Sequence, residues 1–166
     1  MIRRATVEDA PGIAEAHART WQAAYRHVFP AEALDALDAE NREPRWRQNV
    51  VDPDVPVFVA VERGSVLGFV AVGPSRDPDC DGELWGVYVV PEAWGKGVGA
   101  VLMETGLDYL RAHFREAILW VLDENPRARR YYEKHGWAFD GTTKRGRHLG
   151  VDTDEVRYRI TLERGL

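Results

Sequence analysis

Gly95, Gly97 and Gly99 alternate in Gly95-Lys96-Gly97-Val98-Gly99-Ala100. Before them runs the apolar stretch Leu84-Trp85-Gly86-Val87-Tyr88-Val89-Val90, read as a strand. After them Val98, Leu102, Thr105, Gly106, Tyr109 and Leu110 recur at the spacing of an amphipathic helix. Alternate glycines where a helix begins expose consecutive backbone N–H groups, and the positive end of the helix dipole lies behind them. Such a nest suits an anion, most often phosphate. A glycine-rich turn also serves simply to redirect the chain, so the following helix is what favours a phosphorylated ligand here.

Two familiar phosphate loops can be compared with this one. A P-loop ends in Gly-Lys-Ser/Thr, whereas Lys96 is followed by Gly97-Val98. The dinucleotide fingerprint fits better, as Gly95-x-Gly97-x-x-Ala100 with Asp123 closing the next strand. That fold needs further βαβ units, and the roughly forty residues left after Asp123 read as one helix and a hairpin. A second segment, Asn125 to Trp137, has Asn125 as N-cap, Pro126 at the first helical position and Gly136 as the stop. Its adjacent Tyr131 and Tyr132 point about 100° apart on a helix, so they cannot share one core site.

The glycine loop resembles the Q/R-x-x-G-x-G/A segment of the GCN5-related N-acetyltransferase (GNAT) family. Asn125–Trp137 is similar to that family's N-x-x-A-x-x-x-Y-x-K-x-G-F helix, in the family's order and spacing. The likeness is specific over residues 83–137, and Ile2-Arg3-Arg4-Ala5 with the helix after it looks like the family's first strand and helix. The resemblance implies acetyl-CoA as cosubstrate, with no metal. The backbone of Val87, Tyr88 and Val89 would take pantetheine. Gly95, Lys96, Gly97, Val98, Gly99 and Ala100 would take the pyrophosphate, with Asn125 beside them. Trp94 stands where the family has Gln or Arg. The resemblance also makes Glu83 the general base, against a reading as a solvated strand-edge carboxylate, with Asp81 as rival. It puts Tyr132 beside the leaving sulfur and leaves Tyr131 to the core. A backbone N–H near Val89, freed by strand distortion at Gly86, would polarise the acetyl carbonyl. In the family the acceptor lies between the first two helices, the central strand and the final hairpin. Trp21, Tyr25 and Trp85 are the substrate candidates by location, with His148.

The elements that must hold these residues read as follows. Thr6, with Asp9 three residues on, caps a long helix carrying Ile13, His17, Trp21 and Val28, which Pro30 ends. Short helices follow around Ala31–Leu37 and Arg42–Val51. Pro56–Val61 and Val66–Val72 form a hairpin, and Arg76–Gly82 a loop. Trp137–Lys144 and Glu155–Leu162 close the sheet, with Lys144-Arg145-Gly146-Arg147-His148 as a solvated hairpin tip. The expected class is α/β (α+β mixed): the acyl-CoA N-acyltransferase fold, a mixed, mostly antiparallel sheet with helices on both faces.

At 166 residues, 45% hydrophobic and 30% charged, the chain is expected to be one N-acetyltransferase domain over 1–166. A net charge of −5 argues against nucleic acid as partner. The single cysteine, Cys80, excludes an internal disulfide and a CxxC metal site. No apolar run reaches the length of a membrane span and no signal-peptide stretch follows Met1, so a cytoplasmic location is expected. The expected partner is a small-molecule or peptide amine, with a homodimer as a further expectation. Two functions remain: an N-acetyltransferase acting through a ternary complex, and a non-catalytic acyl-CoA-binding or regulatory domain. Glu83 and Tyr132 together favour the enzyme.

Overall fold

Near-continuous apolar runs build the central strands of the sheet, and helices with one apolar face cover both its sides. The computed structural model describes residues 1–162, all but the side chain of Asn41. In chain order the elements are β1 (Ile2–Arg4), α1 (Ala10–Ala24), α2 (Ala31–Asp35), α3 (Ala39–Asn49), β2 (Val57–Glu62), β3 (Ser65–Pro74), β4 (Gly82–Val89), α4 (Val98–His113), β5 (Glu116–Leu122), α5 (Pro126–Lys134), β6 (Ala138–His148) and β7 (Val151–Thr161). The seven strands run β1-β2-β3-β4-β5-β7-β6. The β4–β5 pair is parallel and every other pair antiparallel. The expected class of fold is therefore the observed one.

One face of the sheet is covered by α4 and α5, where Val70, Val72, Leu84, Leu102, Leu107, Leu119 and Tyr132 form a core. Each leucine buried there contributes about 1.5–3 kcal/mol. The opposite face over β2 to β4 receives α1, whose Ile13 and Ala16 meet Val57, Val59, Phe69 and Ala71. A third cluster, Tyr25, Phe29, Leu34 and Leu122 with Trp21, Leu149 and Val151, ties the end of α1 to the β6–β7 hairpin.

Three boundaries differ from the sequence reading. Helix α1 stops at Ala24, well before Pro30: Tyr25 leaves helical geometry at φ −119°, and the amides of Val28 and Phe29 both bond to its carbonyl. That turn lays Phe29 against Trp21 and Tyr25. Helix α3 begins at Ala39 rather than Arg42, because the Asp38 carboxylate accepts from the Glu40 amide at 2.8 Å. Lys144–His148 is not a hairpin tip. It lies within β6, paired residue by residue with Val151–Glu155, and the turn falls at Leu149-Gly150, both at positive φ.

Candidate active site

The glycine loop adopts the geometry of an anion nest. Gly95 and Gly97 sit at φ +75° and +86°, where glycine is strongly preferred, and a Cβ on either would meet nothing within 4 Å. Backbone conformation, not crowding, demands these two glycines. The first helical bond of α4 runs from the Val101 amide to the Gly97 carbonyl, so the amides of Val98, Gly99 and Ala100 lack helical acceptors and are available to a ligand. Gly99 is not demanded in this way: a Cβ there would sit in ordinary contact with the Tyr131 hydroxyl at 3.4 Å, which donates to the Gly99 carbonyl at 2.6 Å. The Trp94 indole is covered by the Arg127 guanidinium, 3.8 Å from its ring centre.

Beside the loop the sheet comes apart. Strands β4 and β5 pair only at Gly82–Ala117 and Glu83–Ile118, while β5 stays bonded to β7 as far as Leu122. The β4 edge from Leu84 to Val89 therefore faces a gap. A bulge starts it: Ala71 pairs with Gly86 and Val72 with Leu84, so Trp85 has no opposite number on β3. The distortion expected at Gly86 thus falls one residue earlier. Gly86 itself lies under the Tyr88 ring, where a Cβ would approach Tyr88 to 2.9 Å. Of the backbone groups expected to meet pantetheine, the Val89 carbonyl is already occupied, by Trp94 Nε1 at 2.7 Å and Thr20 Oγ1 at 3.1 Å.

Both tyrosines touch the core, but Tyr131, the one expected there, is the less buried of the two. Tyr132 is the more buried and joins the α4–α5 core, whereas Tyr131 is half-buried against the first turn of α4. Burial, with the nearby phenols of Tyr88, Tyr25 and Tyr131, raises Tyr132 well above the usual tyrosine range. Its hydroxyl makes no hydrogen bond to another of the described residues. Asn125 caps α5 through the Ala128 amide at 3.1 Å, and its amide nitrogen donates to the Tyr25 hydroxyl at 3.0 Å.

Glu83 is not a solvated strand-edge carboxylate. Its side chain is 1% exposed and ion-paired with Arg76, and Oε1 also accepts from the Arg76 amide at 3.0 Å. Arg76 in turn covers the Trp85 ring at 4.2 Å, and the Trp85 indole donates to the Pro74 carbonyl. Asp81 faces elsewhere, accepting from the amides of Arg115 and Glu116 at 2.8 and 3.2 Å. Burial opposes its ionisation, but those amides outweigh it and hold the carboxyl below its ordinary value.

The family profile described as Acetyltransferase (GNAT) family matches residues 14–137. The chain belongs to this family. The uncharacterized N-acetyltransferase YuaI of Bacillus subtilis is 34% identical over 129 residues, covering 75% of this chain and 73% of that protein. The fold of this acetyltransferase is also that of the PaiA N-acetyltransferase of Thermoplasma acidophilum, solved in complex with coenzyme A (TM-score 0.79, 17% identity, 97% of this chain and 98% of that one). It is shared as well by yncA of Salmonella typhimurium, solved with its cofactor acetyl-CoA (TM-score 0.73, 22% identity, 100% and 95%).

In this GNAT chain, the sheet's α1 face gathers Trp21, Tyr25, Tyr88 and His148. The Trp21 ring lies 4.7 Å from Tyr25 and 5.7 Å from His148 between centres, and its indole donates to the Tyr88 hydroxyl at 3.4 Å. Trp85 stands apart from this group, half-exposed under Arg76. Sequence reasoning missed Arg42, which comes from α3 and is partly desolvated, so its pKa falls. It also missed Glu155 of β7, with 14% of its side chain exposed. Neither belongs to a motif. A period-two reading of Val156, Tyr158 and Ile160 does put Glu155 on the opposite face of its strand, and that was the available signal. Among the described residues no group of His, Cys, Asp and Glu could hold a metal ion, and no helix is long and apolar enough to cross a membrane.

Proposed function

We propose that this acetyltransferase moves the acetyl group of acetyl-CoA to a primary amine by direct attack within a ternary complex. The observation that carries the reading is the opening of the sheet where β4 parts from β5, with the free amides of the glycine loop at the start of α4. The free amides of Val98, Gly99 and Ala100 suit a pyrophosphate. The unpaired β4 edge at Val87, whose backbone is turned away from β3, offers a donor and an acceptor to an extended pantetheine arm, much as a neighbouring strand would. An N–H on that edge would also stabilise charge developing on the thioester oxygen.

Tyr132 stays protonated at any working pH, because burial raises it. It donates a hydrogen bond to the departing sulfur. Full proton transfer from so weak an acid to a thiolate is uphill, so the proton on the product thiol originates on the attacking amine. Glu83 we assign to positioning: its pairing with Arg76 holds the β3–β4 loop against the bulge and leaves its carboxylate oxygens occupied. Consumption of acetyl-CoA with a panel of primary amines tests the reading. Release of free thiol with at least one amine, together with an acetylated product, is expected. Tight acetyl-CoA binding without turnover on any amine would instead support the non-catalytic acyl-CoA-binding domain.

A further inference from the structure

Most carboxylates on the β6–β7 hairpin and the loop folded over it have a guanidinium. Asp154 pairs with Arg145 and Asp152 with Arg147. Asp77, Asp79 and Asp140 share Arg157, and Glu116 takes Arg159. Glu155 differs. Its neighbour across the hairpin, Lys144, lies over the Trp120 ring at 3.9 Å and makes no ion pair with it. The only basic group at salt-bridge distance from Glu155 among the described residues is His148, Nε2 to Oε1 at 3.6 Å, a cation only when protonated. That Nε2 is itself buried and makes no hydrogen bond. A carboxylate mostly removed from water without a permanent counter-charge, beside an unsatisfied imidazole nitrogen, is costly unless a cationic donor completes it.

The pair also lies close to the gap in the sheet. Glu155 is opposite Leu122 at the end of β5, three residues from Asn125, which holds Tyr25. Trp21 and Tyr25 from α1 form an aromatic wall beside His148. The Glu155 charge helps to raise the Tyr25 phenol, after burial and Tyr88, so carboxylate and phenol share one space. Tyr25 and Tyr88 act likewise on Tyr132. The other charged neighbours are Lys144, turned to Trp120, and Arg42 of α3, beside Tyr88; the Arg145–Asp154 and Arg147–Asp152 pairs alternate onto the other face of the hairpin.

We propose that Glu155 and His148 form the amine site of the acceptor: Glu155 holds its ammonium, His148 Nε2 takes the proton, and Trp21 and Tyr25 carry its carbon skeleton. The substrate class is a cationic primary amine with an aromatic or apolar body. In the reaction, one ammonium N–H bond breaks and an Nε2–H bond forms, leaving an imidazolium next to the Glu155 carboxylate. The freed lone pair forms the C–N bond to the thioester carbon. The C–S bond breaks, and its electron pair goes to sulfur. The surplus proton on the new amide nitrogen passes to that sulfur, and the imidazolium proton returns to water. The proposal rests on the transferase reading but replaces Glu83 as the base.

Two measurements test it, each on wild type, His148→Gln, Glu155→Gln and Glu83→Gln. In the first, kcat/KM is followed against pH with whichever amine of an aromatic and aliphatic panel, 2-phenylethylamine included, is acetylated best. His148→Gln should lose about 10²-fold or more at neutral pH and recover most of it above pH 10, where the amine is already neutral. Glu155→Gln should raise KM about tenfold with a smaller loss in kcat, and Glu83→Gln, whatever its overall rate, should keep the shape of the wild-type pH dependence. In the second, the His148 imidazole resonances are followed by NMR as 2-phenylethylammonium is added without acetyl-CoA. They should shift in wild type and not in Glu155→Gln. Wild-type kinetics in both hairpin variants, or loss of the base only in Glu83→Gln, overturns the proposal and leaves the transferase intact. If wild type acetylates no amine, the transferase reading has failed, and the NMR titration alone then decides whether an amine site exists.

Discussion

Tyr132 packs its ring with Leu102, Leu119 and Tyr158, and the proposed reaction asks its hydroxyl to serve the leaving sulfur as well. Tyr132→Phe keeps the packing and removes one donor, so kcat should fall about 10²-fold with acetyl-CoA affinity nearly unchanged in calorimetry. Tyr131→Phe should do the reverse. It cuts the 2.6 Å bond to Gly99 and loosens the first turn of α4, weakening binding a few-fold at near-normal kcat. The same phenotype in both variants would remove the assignment. Glu83→Gln leaves Arg76 without its ion-pair partner. Because Arg76 is 58% exposed and can turn to water, the stability cost should be about 1–2 kcal/mol in urea unfolding, without loss of kcat. The motif spacing identified Tyr132 in the sequence, but not which tyrosine would be buried. The side of α5 that meets the sheet depends on where β5 and β7 deliver it. The Arg76 partnership was illegible for a similar reason, since a loop must fold back before the two residues meet.

At the scale of elements, the glycine loop and α4 behave as one device. The helix supplies orphan amides, and the left-handed glycines turn the chain so that they face outward. Gly97→Val forces a branched side chain to φ +86°, costing about 1–2 kcal/mol, a modest drop in melting temperature. Acetyl-CoA affinity should fall at least 100-fold. An unchanged dissociation constant would detach the cofactor from this loop. Gly95→Ala, strained in the same way but with a smaller side chain, should lose less affinity. This loop and α5 were readable because their glycines, Asn125 and Pro126 act through local backbone geometry. The end of α1 was not: Pro30 advertises a stop, but burial of Phe29 and the bond between Tyr25 and Asn125 release the helix at Ala24. The β6–β7 turn was misplaced because a run of basic residues reads as solvated. In β6 those cations alternate, and their strand partners on β7 bring the carboxylates to them.

Across the whole molecule, stability should depend on pH in two separate windows. His17 is enclosed by Trp21, Trp46, Phe69 and Tyr88. Burial, and then the charges of Arg42 and Arg45, lower its pKa from 6.5 to about 4. The folded state therefore resists a proton that the unfolded chain accepts. Its full contribution is present above about pH 6.5 and is lost as pH falls to about 4, a decline of about 3 kcal/mol. His17→Phe should abolish that slope in urea titrations at pH 7, 5.5 and 4. Persistence of the slope would place its origin elsewhere. Asp9 and Asp140 are depressed in the fold, Asp9 chiefly by Arg3 and Asp140 by its bonds to Thr142 and Arg157 against the pull of burial. Their contribution is present above the ordinary aspartate value near 3.9 and is lost below it, so it adds a second, steeper decline in stronger acid.

The parting of β4 from β5 leaves two strand edges open in the middle of a sheet, where other proteins keep them zipped. A ligand lying in that slot works as a removable strand. Its departure turns the interior of the sheet into an edge able to recruit another chain. Slow amide exchange along Val87–Val89 should therefore report occupancy of the slot more directly than any change in helix content. Starved of cosubstrate, the protein should lose solubility before it loses fold, and each tenfold rise of free ligand above its dissociation constant should add about 1.4 kcal/mol of resistance to unfolding.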